Sequence, residues 1–257
     1  MSSNPDAARP AGPDETIVLR DTFVPNGRTV PFENGWTWIA EAWPIFSRAA
    51  LMWIGMTLVL LIIHVAFVFL NVLGFVASML GTPVFAAGLM ITSRTLDQGG
   101  EPRFSQLFGG FRHRFGRLLG AGVLYLVGTA LIVLIVFLIA GGSLVAIVNA
   151  TTPEEILALG ATLLLAMLIF LALMLPLVMA IWFAPALIVF NDLGPIEAMR
   201  ASFMGCVRNL LPFLLYGVVL LLASIVASIP AGLGWFVLWP VTAASIYTAY
   251  KDIYFAA

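Results

Sequence analysis

The fold class this sequence predicts is an all-α integral membrane protein of six transmembrane helices arranged as three hairpins, each preceded by a cytoplasmic interfacial amphipathic helix. Three observations lead there. Only 10% of the 257 residues are charged, where a soluble domain carries about 25%. Mean hydropathy is +1.06, and the apolar residues gather into stretches of the roughly 20 residues that a membrane helix needs. All twelve Arg and Lys residues fall in four places: before the first stretch, in the second and fourth connections, and at the C-terminus.

The elements follow in chain order. Residues 1–32 read as a polar, largely disordered cytoplasmic tail, with several Pro and Gly and no apolar region at signal-peptide distance. Within it, Asn26-Gly27 between Val-bearing flanks is a type I′ hairpin signal. Pro25 and Pro31 limit such pairing, and a tail lying on the membrane surface competes with it. Residues 33–257 form a single helical membrane domain. Its expected spans are Leu51 to Asn71, Leu73 to Ser93, Leu118 to Val148, Pro153 to Phe190, Leu210 to Ser228 and Leu233 to Tyr250.

The fourth stretch is long enough to suggest two spans broken at Pro176. The basic residues decide against it. Six spans leave every Arg and Lys on one side, which the positive-inside rule makes cytoplasmic, with both termini inside. A split fourth span would place Arg200 and Arg208 outside. Spans three and four are therefore single and overlong, so the middle pair tilts or projects beyond the outer face. Its outer turn is signalled by "TTPEE": Thr152 as N-cap, Pro153 at the first helical position, Glu155 closing a capping box.

Between spans four and five lies "PIEAMRASFMGCVRN", where Ile196, Met199, Phe203, Val207 and Leu210 fall on one helical stripe. Gly194-Pro195 starts this helix, which lies in the interface and feeds span five. "FSQLFGGFRHRFGRLL" repeats the design with Phe104, Leu107, Phe108, Phe111, Phe115 and Leu118, and "GWTWIAEAWPIFSRAALMW" with Trp36, Ile39, Trp43 and Phe46. Three elbow-plus-hairpin units result, about 33–95, 103–190 and 195–251. Pro83 stands eleven residues before Arg94, and Pro240 eleven before Lys251, which echoes the repeat. Pro44 should kink or split the first elbow.

At these residues a resemblance enters. "GWTWIAEAWPIF", "FSQLFGGF" and "YTAYKDIY" resemble an uncharacterised bacterial polytopic inner-membrane protein family, the BPSS-type group. "GPIEAMRASF" is similar to the YciC-like group and to the membrane domain of some glycerophosphodiester phosphodiesterases. The resemblance covers most of residues 33–255 and implies an inner-membrane helical bundle. It implies no activity, and no soluble phosphodiesterase domain accompanies it.

Chemistry-bearing residues are few. No Asp, Glu, Lys or Arg lies deep in any span; Asp97, Asp192 and Asp252 sit at cytoplasmic ends. His64 is a candidate intramembrane polar site, either a proton or substrate contact or a neutral imidazole bonded to a carbonyl or to a hydroxyl such as those of Ser224, Ser228 or Thr129. Arg112, Arg114 and Arg117, with His113, are a candidate contact for an anionic headgroup, or else a plain positive-inside anchor. Cys206 reads as a packing residue. No catalytic or metal-binding motif is found and no cofactor is implied. The net charge of −1 gives no ground for nucleic-acid binding. The functional expectation is a non-enzymatic scaffold or accessory protein, with membrane lipids and either a homo-oligomer or an unidentified membrane protein as partners. The alternative is a lipid-handling protein or small-molecule transporter.

Overall fold

The computed structural model describes residues 22–146 and 152–256. Residues 1–21 of the expected tail and the far end of the third expected span, Val148, lie outside them. Ten α-helices and one pair of two-residue strands make up the described chain. They are β1 (Thr22–Phe23), α1 (Asn34–Ser47), α2 (Ala50–Phe69), α3 (Asn71–Asp97), a 3-10 segment (Phe104–Phe108), α4 (Gly109–Arg112) and α5 (Phe115–Ala146). Then come α6 (Pro153–Trp182), α7 (Ala184–Asn191), α8 (Pro195–Arg208), α9 (Leu210–Ser228), α10 (Trp235–Tyr254) and β2 (Phe255–Ala256).

Five segments are long and apolar enough to cross a membrane: Ala50–Phe69, Asn71–Asp97, Phe115–Gly142, Pro153–Asn191 and Leu210–Ser228. The expectation of six such stretches is corrected at the last one. Its helix forms as α10, but Thr242, Ser245, Thr248 and three tyrosines lower its hydropathy. Those groups face protein. Tyr216 and Ser245 share a hydroxyl hydrogen bond of 2.7 Å, and Thr248 donates to the Trp38 carbonyl at 2.7 Å. A helix that buries hydroxyls against partners does not need the uniform apolar surface of its neighbours.

Three departures from the sequence expectation have local causes. First, α1 runs unbroken through Pro44. The chain turns later, at Ala49, where the backbone leaves helical angles. Second, the second elbow is three pieces rather than one helix. His113 is extended and Arg114 takes a left-handed φ of 58°, so the chain turns sharply before α5. Third, Pro176 stays inside α6, while the fourth stretch, expected as one unbroken helix from Pro153 to Phe190, is interrupted at Phe183. There the Ser202 hydroxyl from α8 accepts from the Phe183 N–H at 2.9 Å and donates to the Met179 carbonyl at 2.6 Å. Residues 179 and 183 are the i and i+4 partners of an ordinary helical bond. Ser202 is inserted into that rung, which is a recognised cause of a kink.

The capping box at the start of α6 forms as the sequence implies, with the Glu155 N–H donating to Thr152 Oγ1 and the Thr152 N–H to Glu155 Oε2, both at 3.2 Å. On α8 the face against the protein is made of small residues, Ala198, Ala201, Ser202, Gly205 and Cys206. Ile196, Val207 and Leu210 of the apolar stripe stay exposed.

Residues 22–33 form a strap. The Asn26-Gly27 turn is present, with the Gly27 N–H donating to Val24 O at 2.9 Å and φ of 68°. Its flanks pair with the C-terminus instead of each other: β1 is antiparallel to β2, and the Arg28 N–H donates to Ile253 O at 2.8 Å. The Asn209 side chain secures the strap on both sides, accepting from the Val30 N–H and donating to Arg28 O, each at 2.8 Å.

Candidate functional site

Four basic residues, Arg94, Arg112, Arg114 and Lys251, gather at the end of the bundle where α3, α7 and α10 finish. Position 88 explains how the second elbow reaches this place. A Cβ there would sit 2.1 Å from the Leu107 carbonyl oxygen, and one at Gly110 would sit 2.1 Å from that of Val84. Two glycines thus let the 3-10 segment and α4 lie with backbone against α3, whereas any side chain would hold them off. The sharp turn at His113 and Arg114 then presents this pair beside the last turns of α3.

A cavity of about 570 Å³ opens there. Its walls are Ile91, Arg94 and Thr95 of α3, Gln98 just past the end of α3, Arg112 to Arg114 of the turn, and Val189 and Phe190 of α7. A second cavity of about 300 Å³ adjoins it, lined by Asp97 of α3, Asn191 of α7, and Tyr247, Tyr250 and Lys251 of α10. Arg94, Gln98 and Phe190 line both. The two linings carry four permanent cations, Arg94, Arg112, Arg114 and Lys251, and one carboxylate, Asp97.

The ion pairs among the described residues are unevenly distributed. Lys251 holds Asp97 at 2.7 Å, and the Tyr247 hydroxyl also donates to Asp97, at 3.1 Å. Asp192 accepts from Arg114 at 2.8 Å and from Arg117 at 2.5 Å. Both Arg114 and Asp192 are non-glycine residues with φ of 58°, so this pair ties together two left-handed turns. Arg94 lies 4.9 Å above the Phe190 ring and is in no salt bridge among the described residues. Neither is Arg112, which is exposed at the cavity wall.

The structure therefore brings together Arg112 and Arg114 of the sequence candidates and leaves Arg117 outside the cavity lining, paired to Asp192. Arg94, Asp97, Phe190 and Lys251 complete the site without having been singled out for it. The echo between Pro83–Arg94 and Pro240–Lys251 was the one sequence feature that linked Arg94 to Lys251. His64 is elsewhere. It lines a shallow depression with Phe67, Asn71 and Ser78 near the α2–α3 turn, and its Nδ1 lies 3.2 Å from the Leu60 carbonyl one turn back. A carbonyl only accepts, so that contact puts the proton on Nδ1. Ser224 and Ser228 bond within their own helix and with Trp235, not with His64.

Residues 109–250 match the model of a family described as a domain of unknown function, DUF7847. The chain belongs to that family. It is an uncharacterised family of membrane proteins, and the matched stretch takes in the Arg112–Arg117 turn, Asp192 and most of α10. A curated relative in Burkholderia thailandensis, named a probable inner membrane protein, is 30% identical over 199 residues, which cover 73% of this chain and 72% of the relative. No solved structure matches the chain.

Proposed function

We propose that this multi-pass membrane protein resides in the bacterial inner membrane and binds an anionic lipid headgroup at its arginine-lined cavity, without catalysing a reaction. The observation that carries this reading is the charge imbalance of the cavity: four permanent cations against one carboxylate, with Arg94 and Arg112 in no ion pair. Basic side chains near an anionic surface each contribute about 1 kcal/mol to binding. The placement beside apolar spans suits a ligand with a charged head and greasy tails. The finer family resemblance, to the BPSS-type and YciC-like groups, belongs to this reading and carries no activity with it.

The same proposal includes six crossings, with both termini cytoplasmic. The α9–α10 register supports it. Tyr216 meets Ser245 and Ser228 meets Trp235, so α10 runs antiparallel to α9 between those contacts. If α9 crosses the membrane, α10 returns.

Lipid retention tests the function. The protein, released gently from its own membrane into native mass spectrometry, is expected to keep anionic lipid in preference to phosphatidylcholine, and Arg112→Gln to weaken that preference. Equal retention of neutral and anionic lipid defeats the headgroup reading. A second reading, a scaffold or accessory subunit, is favoured by the exposed Trp36 and Trp43 on α1 and by the little-buried α6. Multiples of the chain mass, or a co-released second protein, would support it.

A further inference from the structure

We infer that the cavity is built for a doubly charged phosphate group, a phosphomonoester or a diphosphate, rather than for the singly charged phosphodiester of common phospholipids. This rests on the anionic-ligand reading and narrows it. Of the four cations in the two linings, Lys251 is neutralised by Asp97 and Arg114 shares Asp192 with Arg117. Arg94 and Arg112 remain in the lining of the larger cavity with two charges and no ion-pair partner among the described residues, and the Arg114–Asp192–Arg117 group beside them adds a further net positive charge. A phosphodiester offers one negative charge and leaves one guanidinium uncompensated. A terminal phosphate carries roughly 1.5 to 2 negative charges at pH 7 and has three acceptor oxygens, which matches two planar forks of N–H donors.

The surroundings suit that role. Phe190 holds the Arg94 guanidinium by its ring face, 4.9 Å from the centroid, which fixes the group without consuming its N–H donors. Gln98 is in both walls and adds a neutral donor. At about 570 Å³ the cavity is of small-molecule size, so it accommodates what is attached to the phosphate as well. Arg94 stands in the wall common to both cavities, and so reaches a second phosphate of a diphosphate lodged in the smaller one.

The full chain, purified in detergent, is titrated in native mass spectrometry with phosphatidic acid and phosphatidylglycerol of identical acyl chains. Phosphatidic acid is expected to bind about tenfold more tightly or better, as for one extra charge-assisted hydrogen-bonded contact. Arg94→Gln with Arg112→Gln is expected to bring the two lipids to within about twofold, while Arg200→Gln, at an exposed arginine outside both cavities, leaves the preference intact. If the double variant does not fold, Arg112→Gln alone carries the test, because its side chain is exposed and holds no ion pair among the described residues. Inorganic pyrophosphate added as competitor separates the sources. Displacement of phosphatidic acid assigns the site to a water-soluble ligand of the same chemistry, and retention assigns it to a lipid. Equal binding of phosphatidic acid and phosphatidylglycerol, both above phosphatidylcholine, overturns this inference and leaves the headgroup reading standing. Equal binding of all three lipids removes both.

Discussion

Asp252 joins more of the molecule than any other single carboxylate among the described residues. Its Oδ1 accepts from Arg28 at 2.9 Å, and its Oδ2 from Asn34 at 2.7 Å and from the Trp38 indole N–H at 2.8 Å. Strap, α1 and α10 meet on one side chain. Asp252→Ala leaves three donors without their acceptor and is expected to cost about 2–4 kcal/mol, read as a lower thermal unfolding midpoint in detergent, with Asp252→Asn recovering part of it. Cys206 behaves oppositely, as an inert residue. Burial pushes its thiol up to about 12, against a smaller lowering by the Ser202 hydrogen bond. Iodoacetamide at pH 8 is therefore expected to leave folded protein unlabelled and to label it after denaturation. Glu41 is an exposed residue whose carboxyl is only partly desolvated, and this raises its pKa, with Lys251 lowering it and Asp252 and Asp97 raising it. A carboxyl with a raised folded-state pKa favours the fold below its ordinary value and loses that contribution as pH rises through the folded one. Glu41→Gln should then raise the unfolding midpoint at pH 7 and leave it unchanged near pH 4; a fall at pH 7 would count against this account. The packing role of Cys206 was legible from its isolation in the sequence. The role of Asp252 was not, because its three donors lie more than 200 positions away.

The helices themselves were largely legible, since apolar length and capping signals are local. Their breaks were not. Pro44 and Pro176 marked sites where a helix could fail, yet both α1 and α6 continue through them. The break falls at Phe183, where the hydroxyl of Ser202, nineteen residues on, enters the ladder, and no local pattern announces that. The second elbow shows the same limit. The expected stripe does not stay on one face: Leu107 and Leu118 are buried while Phe104, Phe108, Phe111 and Phe115 are exposed, with Phe111 between Phe85 and Phe115 at centroid distances of 5.5 Å each. What shapes the elbow is the contact of "GG" with α3, and that depends on tertiary structure. Gly110→Ala is expected to cost about 1–3 kcal/mol, since its Cβ overlaps a backbone carbonyl that cannot swing aside. Because Arg112 is two residues further on, the variant should also weaken anionic-lipid binding, measured in the same titration. Unchanged binding with lowered stability would separate the glycine contact from the cavity.

Across the whole molecule, loop charge and span length led to three hairpins, and five of the expected six crossings are apolar enough to be recognised by that measure alone. The last expected one, α10, falls short of it because it carries hydroxyls that bond to neighbouring helices, Ser245 to Tyr216 of α9 and Thr248 to the Trp38 carbonyl of α1 among them. Orientation can be checked directly. With native Cys206 buried, a cysteine at Glu154 is expected to react with an impermeant maleimide in intact cells, and one at Gln98 only after permeabilisation. Reaction of both from outside would sink the arrangement.

The strap also has a place in time. Residues 24–30 precede all ten helices described above, yet what they bind is made later: Arg208 and Asn209 at the end of α8, and Ile253 and Tyr254 at the end of α10. The strap must therefore wait for its first partners until α8 is made, and for its last until α10 is complete. Its docking cannot be complete before α10 exists, and a protease that cuts a loose strap but not a seated one distinguishes finished molecules from those still being threaded.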